Sequence, residues 1–107
     1  MNQADIIQQN QQEYLISGAL NFSTVPALVQ QSLGFFKANA DAGNSAKIKV
    51  DLSQISSSNS AGLALMLEMV KDARLNNIEL HFDNLPDTLL TIAKAYGVES
   101  EIRDICR

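Results

Sequence analysis

At 107 residues the chain has the length of one domain, enough to bury roughly two thirds of its unfolded surface without disulfide or metal staples. Its 46% hydrophobic and 19% charged residues are ordinary for a globular protein, and a net charge of −4 leaves no basic surface with which to displace counterions from nucleic acid. The longest apolar stretch, 61–67, is far short of the ~20 residues that cross a bilayer.

No basic residue precedes Lys37, so the basic n-region of a signal peptide and the Arg-rich pattern of a transit peptide are both missing. The single cysteine, Cys106, excludes an intrachain disulfide and reads as a free thiol. These features lead us to expect a cytoplasmic protein that does not insert into a membrane.

Five glutamines (Gln3, Gln8, Gln9, Gln11 and Gln12) crowd the start, which predicts fraying and then a short edge strand over 6–11. Residues 13–17 are apolar and β-favouring and stop at Gly18, giving a second strand. Ser23-Thr24-Val25-Pro26 is a helix start, a hydroxyl cap with proline in the first turn. That helix runs through Leu28, Val29, Leu33 and Phe36 and ends before 39–45, where Asp-Ala-Gly-Asn-Ser is turn chemistry.

The next two strands set the architecture. Over 47–52, Ile48, Val50 and Leu52 point one way and Lys47, Lys49 and Asp51 the other; over 78–82, Ile78, Leu80 and Phe82 alternate with Glu79 and His81. Strands covered on both faces read as continuous apolar runs. These are wet on one face, so the helices lie on a single side and Lys47, Lys49, Glu79 and His81 should be accessible.

Between these strands a run of small polar residues leads into a helix over 60–75 that opens at Ser60. A hydroxyl there meets unpaired backbone N–H groups and the positive end of the helix dipole, a place to receive a phosphate or a partner's anionic group. At ~100° per residue, Leu63, Leu65, Met66, Leu67, Met69, Val70 and Ala73 span roughly 200°, twice what an ordinary surface helix needs. Glu68, Lys71 and Asp72 take the remaining face, and Leu65, ~20° from Asp72, falls at the edge of the arc. A last helix starts near Asn84-Leu85-Pro86-Asp87 and runs through Leu89, Leu90, Ile92, Ala93 and Tyr96 to a Gly97 stop, leaving 98–107 as a short tail.

Few side chains invite chemistry. The 56–60 run has no glycine before Gly62 and no following lysine, so it fits neither a P-loop nor a dinucleotide fingerprint. His81 has no second histidine to join it, and Cys106 has no predicted base; we expect no catalytic residues, metal or cofactor. Ser60 has a plain structural reading as a helix cap, and Met66 and Met69 one as core.

Val50-Asp51-Leu52-Ser53, Asn59-Ser60-Ala61-Gly62-Leu63, the strand 78–82, Leu89-Leu90-Thr91-Ile92-Ala93 and Tyr96-Gly97-Val98, in this order of elements, resemble the STAS domain, the fold of bacterial anti-sigma-factor antagonists. Asp-Leu-Ser, Ser-Ala-Gly-Leu-Ala-Leu-Met-Leu and Ala-Lys-Ala-Tyr-Gly-Val are most similar to the stand-alone STAS subunits of bacterial Mla (lipid-asymmetry) phospholipid ABC transporters. The resemblance implies a two-layer α/β STAS-like fold, a mixed sheet with helices on one face, over 1–107 with its core about 13–98. It also implies a non-enzymatic subunit that binds and regulates the transporter's ATPase, itself in complex with a permease. The contact residues would then be Asn59, Ser60, Ala61, Leu65, Glu68 and Met69. The alternative is an anti-sigma-factor antagonist with Ser60 phosphorylated by a small partner kinase. Asn59 stands where that pattern usually has aspartate, one negative charge fewer.

Overall fold

Alternation of apolar and charged residues decides which side of the sheet is covered. The computed structural model describes residues 4–41 and 47–104. In chain order the elements are β1 (Ala4–Gln8), β2 (Glu13–Leu20), α1 (Val25–Asp41), β3 (Lys47–Ser58), α2 (Ser60–Leu75), β4 (Glu79–Asp83), α3 (Asp87–Ala95) and α4 (Glu99–Asp104). The strands form one sheet in the order β1-β2-β3-β4. The first pair is antiparallel and the other two pairs are parallel, the mixed sheet expected.

Register places Tyr14, Val50 and Phe82 side by side across three strands, and all three are buried. With Ile16, Ile48 and Leu52 they meet Leu28 and Phe36 of α1, Leu65, Met66 and Met69 of α2, Leu89 of α3 and Ile102 of α4 in one core. Tyr14 stacks on Phe35 at 4.0 Å between ring centres. The opposite face carries the ion pairs Lys47–Glu79 at 3.8 Å and Lys49–Asp83 at 3.4 Å, and His81 Nε2 is hydrogen-bonded to Asp83 at 2.8 Å. Lys47, Lys49 and Glu79 are exposed there, while His81, hemmed in by Asp83, is only half so. Exposed pairs of this kind contribute little stability; they keep the face wet.

β4 is shifted by one residue from 78–82, and five other boundaries differ from the sequence reading, each for a local reason. β1 ends at Gln8, because the Gln9 and Asn10 N–H groups turn back to the Glu13 carbonyl. β2 runs past Gly18 to Leu20; Gly18 takes a φ of 95°, beside an irregularity in the β2–β3 register. α1 continues through Asn39, whose Nδ2 donates to the Phe35 carbonyl at 2.8 Å. β3 extends six residues beyond Leu52, because its serine-rich end still pairs with β2 (Ser17 opposite Gln54, Leu20 opposite Ser58). The tail is not featureless: it forms α4 and buries Ile102. Cys106, Ile105, the expected turn at 42–45 and the frayed start at 1–3 lie outside the described residues. No helix among the described residues is long and apolar enough to cross a membrane.

Candidate functional site

β3 outruns β4, which pairs with it only as far as Asp51. At that step Asp51 Oδ1 accepts from Asn84 Nδ2 at 3.0 Å and from the Ser53 N–H at 2.8 Å. These donors hold the Asp51 carboxyl below its ordinary range. Beyond the step, β3 and β2 travel together to one end of the molecule, where α2 begins.

The start of α2 is pinned by Asn59, not by Ser60. Asn59 is extended, its Oδ1 accepts from the Ala61 N–H at 2.8 Å, and its own N–H donates to the Leu20 carbonyl at 3.1 Å. The residue that departs from the family's aspartate is therefore the cap, contributing ~1 kcal/mol. Ser60 is already helical and takes no part in that bond, which corrects the reading of its hydroxyl as the cap.

Gly62 lets this end close. A Cβ there would collide with Ser58 Oγ and sit 3.0 Å from Leu89 Cδ2 and 3.2 Å from Leu20 Cδ1. Both leucines are fully buried and have nowhere to retreat. Alanine's better helix propensity, ~1 kcal/mol, is then outweighed by overpacking of ~1–3 kcal/mol. Gly62→Ala should lower the urea midpoint at unchanged m-value, by up to about 2 kcal/mol in stability; a rise in the midpoint would contradict the tight packing.

The exposed side of α2 is a stripe of Ala64, Leu67, Lys71, Arg74 and Leu75, with Ser60 half-buried at its head. Of the six residues expected to touch a partner, Asn59, Ser60 and Glu68 reach the surface, and Glu68 pairs with Lys71 at 3.6 Å. Ala61, Leu65 and Met69 do not: they are 2%, 0% and 0% exposed and belong to the core. The width of the apolar arc was right and its centre was wrong. Asp72, taken as an outward marker, is only 6% exposed, while Leu67, roughly 20° from Ser60 on the helix, is 38% exposed.

Beside that stripe runs a shallow apolar groove of about 240 Å³ lined by Ser60, Leu63, Ala64, Leu67, Tyr96 and Val98. Its far wall is made by the end of α3. Gly97, at φ 74°, turns the chain so that the Val98 N–H reaches the Ala93 carbonyl at 2.9 Å and the Gly97 N–H the Lys94 carbonyl at 3.1 Å. These are the two bonds of a Schellman stop, and Tyr96 is left 64% exposed. Beyond Leu67 the trough continues past Lys71, Arg74, Glu101 and Asp104, where charge returns.

Phe22, missed in the sequence reading, stands 72% exposed on the β2–α1 loop. The loop is braced: Asn21 Oδ1 accepts from the Ser23 and Thr24 N–H groups at 2.8 and 3.1 Å. The Thr24 hydroxyl donates to the Ala19 carbonyl at 2.8 Å, and Leu20 of the same segment holds the Asn59 N–H. The signal lay in the sequence: Phe22 is an aromatic set among turn residues, with no apolar periodicity to bury it.

His81 lies on the opposite sheet face, hydrogen-bonded to the Asp83 carboxylate rather than to a hydroxyl or thiol. Among the described residues no three His, Cys, Asp or Glu side chains converge as metal ligands.

The mixed sheet with a capped helix start at the end of β3 is the STAS architecture. The structure titled "Structure of the Anti-Sigma Factor Antagonist SpoIIAA in its Unphosphorylated Form" is similar at a TM-score of 0.65, with 13% sequence identity, over 91% of this chain and 83% of that one. A family model described as "Mlab, STAS domain" matches residues 7–104, and the chain belongs to that family. No curated protein matches the sequence.

Proposed function

We propose that this chain is a non-catalytic cytoplasmic subunit that docks on the ATPase of a phospholipid-trafficking ABC transporter and stabilises or activates it, so serving outer-membrane lipid asymmetry. The observation that carries the reading is the exposed Ala64–Leu67 stripe, headed by half-buried Ser60, with its adjoining apolar groove, on a helix whose start is held by hydrogen bonds. A preformed apolar groove beside a fixed helix end is a protein-docking feature. The match to the Mlab STAS family supports the choice of partner. ATP chemistry would reside wholly in the partner, with this chain acting through contact.

Ser60→Asp tests the reading. An acidic residue at the first helical position suits the dipole, so the variant should melt at or slightly above wild type. Against a closely packed partner the same carboxylate should weaken binding by about 100-fold or more and abolish stimulation of ATPase turnover. The readouts are a thermal melt and a titration against the purified ATPase subunit of the same cell's Mla-type transporter. Normal melting with normal binding would remove the start of α2 from the interface.

A further inference from the structure

The two segments that build the docking end share a property that composition conceals. No charged residue occurs in 14–36 or in 52–67, although 19% of the chain is charged. Those two runs supply the Phe22 loop, the end of β3 and the first two turns of α2, so Phe22, Asn59, Ser60, Ala64 and Leu67 stand on an uncharged cap. The charges sit around this cap: in the ion pairs of the open sheet face, in the Lys94–Glu99–Arg103 pairs that flank Tyr96 and Val98 in sequence, and in the trough that starts at Leu67 and runs past Lys71, Arg74, Glu101 and Asp104. Interface cores are depleted in charge and enriched in aromatics, and energetic anchors are commonly aromatic.

We infer that Phe22 is the anchor of a charge-free docking surface, and that the partner protein meets it with an uncharged apolar socket. The inference rests on the docking reading above and states the chemistry of that contact. The bracing of the loop by Asn21 and Thr24 matters because a preorganised loop backbone loses little freedom on binding. A single exposed hydrophobe is normal on a monomer. An aromatic carried on a braced loop that is hydrogen-bonded through Leu20 to the helix start is a different case. A lipid surface is the poorer fit, because neither run offers a lysine or arginine to hold anionic headgroups.

The test is a titration of the full chain against the purified ATPase subunit of the same cell's Mla-type transporter. With no ion pairs across the contact, Kd should change less than about 3-fold between about 50 and about 500 mM NaCl. Phe22→Ala should weaken binding by about 30-fold without moving the melting temperature, and Phe22→Tyr should stay within about 3-fold of wild type. A steep salt dependence would overturn the charge-free surface. Phe22→Ala binding like wild type while Ser60→Asp fails would overturn the anchor and leave the docking reading standing. No binding by the wild-type chain would overturn both. Phe22-dependent sedimentation with phosphatidylethanolamine–phosphatidylglycerol vesicles would replace the protein socket with a membrane.

Discussion

Leu65→Glu should unfold the protein. Leu65 is 0% exposed and faces the shared core of α1, α2 and the sheet. Truncating such a leucine to alanine costs ~2–5 kcal/mol. Glutamate adds an unpaired buried charge, several kcal/mol more. The sum rivals the whole ~5–15 kcal/mol stability of a domain. Far-UV circular dichroism and a urea titration should show a chain largely unfolded at room temperature. Leu67→Glu, two residues on but facing solvent, should melt within a few degrees of wild type. Wild-type melting of Leu65→Glu would put that side chain on the surface and restore it as a contact residue.

Asp72→Leu should stabilise the protein at neutral pH. The Asp72 side chain is buried, and Oδ2 lacks a hydrogen-bond partner. Burial pushes its carboxyl above the ordinary value of 3.8, and Glu68 adds to the push while Lys71 opposes it. The folded state then holds this proton more tightly than the unfolded chain does. Stability contributed by Asp72 therefore rises as pH falls through the raised pKa towards 3.8, and is lost above it. Removing the carboxylate should add about 1–2 kcal/mol near pH 7, the scale of an unsatisfied buried polar group. That corresponds to roughly 4–8 °C per kcal/mol in melting temperature for a domain of this size. The gain should shrink on acidification. Asp51 works in the other direction: its carboxyl is held below 3.8 by Asn84 and the Ser53 N–H, so its contribution is present above 3.8 and fades only as pH drops through the lowered value. A constant gain for Asp72→Leu from pH 4 to pH 8 would show that the carboxylate is not what destabilises the wild type.

Legibility followed the strength of local signals. α2 was read to its limits, 60–75, because a capping residue opens it and an apolar period runs through it. The Gly97 stop was equally plain, since only a positive φ closes that turn. The serine-rich end of β3 reads only as a run of small polar residues because Ser53, Ser56, Ser57 and Ser58 carry no alternation; their pairing is supplied by β2, far away in sequence. α4 was invisible because one buried side chain, Ile102, makes no period. The site was half legible for a different reason. An arc of roughly 200° has no clear centre, and Asp72, a buried carboxylate, is the exception that polarity alone misplaces. Ser60 was found; Leu67 and Tyr96, which line the same groove, needed the packing.

The strands lie across the sheet in the order in which they occur along the chain. During synthesis each new strand can be laid against its predecessor without waiting for a later segment to slot between them, so the core can grow as the polypeptide emerges. The wall of the groove is the exception. Tyr96 and Val98 come late, after every strand is in place. Until they arrive, a growing or C-terminally clipped chain presents Ser60 and Leu67 with no opposing wall. Only a chain made through Val98 carries both walls of the groove.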